Sequence, residues 1–576
     1  MMKKKGEFYP DWYEGIPSAK SYRTILKWGD MDQFKHPNKR LYKLMKEIFD
    51  MTDDDFREPQ NMALDEVSFD VPSTFSPENM ETFRNIVGEE NVKTDDFSRL
   101  EVTYGKAMYD AFRLREKIVE NLADAVLRPR NKEDIRKIVE YCNEKRIPVY
   151  VFGAGSSVTR GIECMEGGVS LDMRVHMKKI VSLNEKNQTV TVEPGIFGPD
   201  LEKVLNNAPE LFQTNHAYTF GHFPQSFEYS SVGGWIVTRS AGQNSTYYGK
   251  IEDLVISQEY VTPAGTVKTH EYPASATGPS IDQIMIGSEG TFGILVSATL
   301  KMHRYKPENT RRFSFIFKSW GDAVDAVREV MQGEFGYPSV FRLSDPEETD
   351  IAMKLYGIEG TIIDKILKMR GYRTGEKCLL IGTTDGDSDF TTLVKRKIKK
   401  VCRKYGAMNT TGFVTKSWEH GRYRDPFMRE DLQDYGIIVD TLECSVNWEQ
   451  LHHVHTSVRE YCKSRPRTVC MTHSSHFYPQ GTNLYFIFIG KMGKDEFVEY
   501  HRGILDAIQR SGAAMSHHHG IGKLFAPWLE GQLGKSLIDI LAALKSHFDP
   551  NNIMNPGGTL GLDLPDSEKR FTKEPN

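Results

Sequence analysis

The sequence predicts an α+β fold in which two mixed strand–helix blocks lie between helical N- and C-terminal regions. Strand and helix signals alternate from Leu122 to about Leu300 and restart at Arg311. Helical spacing dominates at both ends. The regions that follow are 1–120, helical; 121–305, the first block; 306–500, the second; and 501–576, helical again. At 576 residues the chain exceeds what one hydrophobic core serves.

In the first region Leu41, Leu44, Met45 and Ile48 fall at helical spacing, and Asp53–Asp55 reads as a helix boundary or loop. The first block opens with ADAVLRP, a short strand ended by Pro129. Asn131 can cap a helix whose Ile135, Ile138, Val139 and Cys142 share one face. An apolar strand from Ile147 to Phe152 then runs straight into a Gly/Ser loop. Strands are expected at Val169–Leu171, Ile180–Leu183 and Thr189–Val192, the last two joined by a polar turn. In the second block RRFSFIF and KCLLIGTT read as strands, and Ala323–Met331 and FTTLVKRKIKKVCRKYG as helices. The last region ends in DPNNIMNPGG.

Composition removes several function classes. A net charge of −5 supplies no global field for nucleic acid. The seven cysteines are scattered without a CxxC pair, which argues for a reducing compartment and against a disulfide framework or zinc ribbon. No apolar run approaches the roughly 18 residues of a membrane span. MMKKKGEFYP lacks an apolar stretch after its basic residues, and FTKEPN is not a peroxisomal address. A cytoplasmic protein is expected.

Three loops carry the chemistry of the first block. Phe152-Gly153-Ala154-Gly155-Ser156-Ser157 follows a strand, and its small side chains let successive backbone N–H groups approach a diphosphate. It is not a GxGxxG turn, and a plain tight turn is the other reading of it alone. Phe223–Trp235 and Ile286–Ile294 are also rich in Gly and Ser within apolar surroundings. Three such loops in one block suit a long ligand with phosphates and a flat ring.

Near the C-terminus stands Ser516-His517-His518-His519-Gly520-Ile521-Gly522-Lys523. Imidazoles titrate near neutrality, so three together suit proton transfer and anion binding; a metal site or solvated histidines are the alternatives. Upstream are His473 and His476, then a strand opened by Tyr485, which shares a face with Ile487. Tyr485 is either a core tyrosine or a phenol that relays a proton. The helix carrying Lys395, Arg396, Lys397, Lys399, Lys400, Arg403 and Lys404 is either solvated and packed on its domain or a contact for anionic lipid.

The three loops, in this order, resemble the FAD domain of the vanillyl-alcohol oxidase and p-cresol methylhydroxylase superfamily. The resemblance implies a split FAD-binding domain of that type plus an α+β cap domain. It places the diphosphate on Val151, Phe152, Gly153, Ala154, Gly155, Ser156 and Ser157. The flavin falls to Pro224, Gln225, Ser226, Phe227, Glu228, Tyr229, Ser230, Ser231, Gly233, Gly234, Thr238, Arg239, Ser240 and Ala241. Glu289, Gly290, Thr291, Phe292, Gly293, Ile294 and Leu295 close over it. The first loop holds no histidine, so FAD is expected to bind non-covalently.

Within the superfamily the chain resembles the alkyldihydroxyacetonephosphate synthase family from about residue 24 to 555. SHHHG is intact, the strand tyrosine matches Tyr485, and SSVGGWIVTRSAGQNSTYYGKIEDLV and TGPSIDQIMIGSEGTFGI resemble that family's flavin segments. Arg342, in Phe341-Arg342-Leu343, and Arg429, in Met428-Arg429, fall where the family carries important arginines. Gln225 departs from the family's usual Asp, and the ending is closer to hydroxyacid oxidoreductases. The resemblance implies exchange of the acyl group of acyl-dihydroxyacetone phosphate for a fatty alcohol, with flavin N5 as a covalent trap and no net redox. Tyr485, His517, His518, His519, Arg429 and Arg342 would be the catalytic groups. Lipid substrates, peripheral membrane contact and a homodimer are implied; nucleic acid is not.

The alternative branch is an FAD-dependent D-2-hydroxyacid dehydrogenase or oxidase, whose metal site needs a second His where Tyr485 stands and a Glu where His518 stands. No metal is therefore expected, although zinc could accept His473, His476 and His518. A non-catalytic flavin-binding scaffold is the third reading.

Overall fold

The computed structural model describes residues 17–30, 39–57 and 60–571; the basic N-terminus and residues 572–576 lie outside them. The first block holds two sheets. One has a parallel core of Ala125–Leu127, Val169–Asp172 and Val149–Phe152, with Val92–Lys93 added antiparallel at its edge. The helix Lys132–Lys145 starts where Asn131 accepts from the Asp134 N–H. It buries Ile135, Ile138, Val139 and Cys142, as the 3.6-residue spacing requires. The second sheet is antiparallel, in the order 180–184, 189–192, 294–301, 255–262, 265–268.

Both ends of the chain return to this block. The helix Pro77–Val87 buries Phe83 and Val87 in its core, and Met554 bridges in parallel to Val149. A sequence split by the cap therefore closes one core at sites far apart along the chain.

The second block is one antiparallel sheet of seven strands. Its order is 408–409, 311–317, 378–384, 341–344, 469–478, 481–491, 437–447. Helices Trp320–Met331, Ser388–Lys404, Leu451–Ser464 and Lys494–Arg510 cover one face. The strongly basic Ser388–Lys404 buries Thr391, Val394, Ile398 and Cys402 and turns Arg396, Lys397, Lys400, Arg403 and Lys404 to solvent. On the other face Tyr485, Ile487 and Ile489 alternate with buried Leu484, Phe486 and Phe488 and look into a cavity. Period two along Gly481–Lys491 thus divides a core from a cavity wall.

Candidate active site

The cavity holds about 1340 Å³. One pole is formed by the first block, at Gly153–Thr159, Gly161, Pro224–Ser226, Gly233–Gly234, Thr238, Ser240, Ala241, Glu289–Gly290 and Gly293–Leu295. The other is an apolar channel through the second block, lined by Met353, Leu367, Ile381, Met408, Leu432 and Met471, and roofed by Leu41, Leu44, Met45 and Ile48 of the helix Lys39–Phe49. The amphipathic stripe of that helix serves the channel as much as a core.

The first pole fits a flavin dinucleotide on three observations. A Cβ at Gly153 would meet Ser231 Oγ at 2.5 Å, so the backbone there stays bare and approachable. Gly155 sits at φ +70°, where its Cβ would strike the Phe152 ring at 2.8 Å. Gln243 Oε1, in the cavity lining, is buried without a partner.

Several residues assigned to the cofactor stand behind this surface. Phe152 is core packing beneath the loop, with the Arg174 guanidinium over its ring. Phe227 stacks on Tyr423, and Glu228 and Tyr229 belong to the same 3₁₀ turn, away from the lining. Ser230 accepts from the Trp235 indole, and Arg239 turns outward to the Gln283 carbonyl. Thr291 and Phe292 back the closing loop; Phe292 packs on Phe548.

The catalytic candidates converge where the two poles meet. The Tyr485 ring lies between His473, at 4.9 Å and 19°, and His518, at 6.1 Å and 17°, with His519 edge-on at 5.6 Å. The phenol donates to Thr441 Oγ1 at 3.0 Å. Burial pushes the phenol pKa up to about 12, so it is protonated at neutral pH. Burial acts oppositely on imidazoles: His473, His476, His517, His518 and His519 are all lowered, chiefly by desolvation, and stand neutral.

His517 does not line the cavity. Its Nε2 meets the Tyr478 hydroxyl at 2.7 Å and its Nδ1 lies 3.1 Å from His518 Nδ1, so it backs His518. Arg342 lines the cavity and donates to Glu348 at 2.5 Å and to His473 Nδ1 at 3.2 Å. Burial opposes the Glu348 charge, but the Arg342 guanidinium holds its carboxyl down at about 2. Arg429 also lines the cavity, anchored on the Lys106 carbonyl and Glu430, with Asp440 3.8 Å away. Burial lifts Asp440 to about 6.

Residue reading alone missed Glu348, Asp440, Thr441 and Glu443. A signal existed for two of them: IIVDTLECSVN is an apolar strand interrupted by acids, and acids buried in a strand need partners.

Two family models match the chain: FAD binding domain over residues 123–270, and FAD linked oxidases, C-terminal domain, over 306–559. A solved alkyldihydroxyacetonephosphate synthase superposes with TM-score 0.77 and 26% identity, covering 95% of this chain and 99% of its own. The alkyldihydroxyacetonephosphate synthase of Dictyostelium discoideum is 29% identical over 535 residues, 89% of this chain and 85% of that protein. p-Cresol methylhydroxylase, at 17% identity and TM-score 0.60 over 85% of this chain and 98% of its own, shares the fold. The chain is an FAD-dependent enzyme whose fold is of the p-cresol methylhydroxylase type. Within that type its likeness is to the alkyldihydroxyacetonephosphate synthases.

Proposed function

We propose that the chain converts acyl-dihydroxyacetone phosphate and a fatty alcohol into alkyl-dihydroxyacetone phosphate and a fatty acid. One observation carries this reading: a long apolar channel ends on a pole of phenol, neutral imidazoles and arginines beside the flavin loops. A small hydroxyacid has no use for such a channel.

FAD would be held by Gly153–Ser157, by Gln225, Ser226 and Ser231, and by Glu289, Gly290 and Gly293–Leu295, and would supply a ring for exchange of acyloxy and alkoxy groups without net oxidation. The chain's own groups handle protons and charge. The neutral His518 imidazole takes the C1 proton, since it is uncharged at pH 7 and faces the cavity. Tyr485, protonated, returns a proton or steadies developing negative charge on oxygen. Arg342 and Arg429 offer positive charge to phosphate and to the departing carboxylate. The test is anaerobic mixing with acyl-dihydroxyacetone phosphate, watching flavin colour and fatty acid release.

Lipid substrates need a route from a membrane. The helix Ile362–Met369 exposes Ile362, Ile363, Ile366 and Met369 beside Lys365 and Lys368, and Ile363 also lines the channel. Large apolar side chains left in water beside cations suit an anionic bilayer surface. Replacing Ile363 and Met369 together with Glu should weaken sedimentation with phosphatidylserine vesicles by roughly tenfold or more, since each buried side chain contributes about 1.5–3 kcal/mol. Equal sedimentation of both proteins would remove this helix from the membrane contact.

A D-2-hydroxyacid oxidoreductase is the second reading, because Glu443, His517 and His518 offer ligand atoms within 4.8 Å of one another, as a metal would need.

A further inference from the structure

The Glu443 carboxylate is 1% exposed and already filled. Oε2 accepts from the backbone N–H of His517 at 2.7 Å and from Asn483 Nδ2 at 2.9 Å. Oε1 accepts from the Ser516 hydroxyl at 2.8 Å and from the N–H groups of His518 and His519 at 3.0 and 3.1 Å. Three successive peptide N–H groups converging on one carboxylate make a nest around an anion. The anion here belongs to the chain.

Strand register explains why Glu443 reaches this place. It pairs directly with Tyr485 across Ile437–Asn447 and Gly481–Lys491, so both side chains leave the same face. A loop clamped to Glu443 is thereby placed against the Tyr485 ring. A second carboxylate grips the same loop from the flavin side. Glu289 accepts from the Ile521 and Gly522 N–H groups at 2.6 and 2.7 Å, and its own backbone is left-handed at φ 50°. The space beneath Gly520 is taken by Glu289, whose Oε1 would lie 2.6 Å from a Cβ there.

We infer that Glu443 is a positioning residue: its carboxylate replaces a metal as the anchor of the 516–519 loop and fixes His518 and His519 in register with Tyr485. Within the reading above, which assigns proton transfer to these imidazoles, Glu443 sets their geometry without touching substrate. Its hydrogen bonds come from the loop backbone, the Ser516 hydroxyl and the Asn483 amide rather than from the rings; the His518 and His519 Nδ1 atoms lie 3.7 and 3.8 Å from it.

The test compares wild type with Glu443→Gln and Glu443→Ala. Gln keeps the shape but turns an amide N–H₂ toward backbone donors, so it breaks part of the clamp; Ala removes all of it. Histidine carbethoxylation by diethylpyrocarbonate, mapped by peptide mass spectrometry, reads the loop without any substrate. Labelling of residues 517–519 should rise about tenfold or more, in the order wild type, Gln, Ala, against a constant rate at the exposed His452 and His453. Where Ala does not fold, Gln alone decides. Turnover of acyl-dihydroxyacetone phosphate should fall about a hundredfold in kcat, with KM within about threefold, while the flavin spectrum persists. Unchanged labelling in Gln with flavin bound overturns the inference. So does one equivalent of zinc in the wild type that the Gln variant loses. If wild type does not turn over that substrate, the proposed function fails while the labelling still judges Glu443.

Discussion

Tyr485→Phe should keep FAD and lose turnover by about 10²–10⁴-fold, the range a positioned proton-transfer group contributes. The substitution removes one hydroxyl and leaves the ring between His473 and His518, so packing is preserved. What is lost is a buried donor held on Thr441 Oγ1 and kept protonated by a pKa near 12. The pH profile separates roles. A phenol serving as acid loses activity only as pH rises toward its pKa. The histidines, lowered from 6.5 by burial, lose their basic form only well below neutrality. Stopped-flow turnover together with the flavin spectrum checks this; near-normal turnover would make Tyr485 a core tyrosine that happens to line a cavity.

Gly155→Val should give a colourless protein. The backbone there is left-handed, which a β-branched residue resists, and its Cβ would meet the Phe152 ring at 2.8 Å. The loop must move or the ring beneath it must, and either withdraws the N–H groups that the diphosphate would use. The expected loss is at least a hundredfold in FAD affinity, about 2.7 kcal/mol. Fluorescence titration of the apoprotein measures it, and circular dichroism shows whether the rest of the fold survives. A yellow, fully loaded variant would move the diphosphate away from this loop.

Part of each sheet was legible because strand and helix periods are local, but Val255–Thr262, Ile294–Lys301, Phe341–Ser344, Ile437–Asn447 and Val469–Tyr478 were not read. RRFSFIF is the strand Arg311–Phe317, and Asn131 caps as its side chain allows. The Gly and Ser loops were legible because bare backbone demands small residues. The layer behind them was not. Phe152 and Phe227 sit inside the same motifs as Gly153 and Ser226, yet point into core, and side-chain direction at a turn depends on what packs from elsewhere. The His473–Tyr485–His518 sandwich joins two strands to a loop more than 30 residues on, a proximity that no spacing rule supplies. The channel was equally hidden, since Leu44 reads only as a helix-face position until the helix Lys39–Phe49 is laid over the sheet that carries Met471.

Anaerobic mixing of the FAD-loaded enzyme with acyl-dihydroxyacetone phosphate tests the central claim most directly, with D-lactate, glycolate and D-2-hydroxyglutarate run in parallel. Acyl-group exchange predicts loss of the flavin's visible absorbance with the phosphate ester alone. One equivalent of fatty acid should be released, and colour should return on adding fatty alcohol without any electron acceptor. Reduction by a hydroxyacid that persists until an acceptor is supplied, with no fatty acid from the phosphate ester, would contradict it.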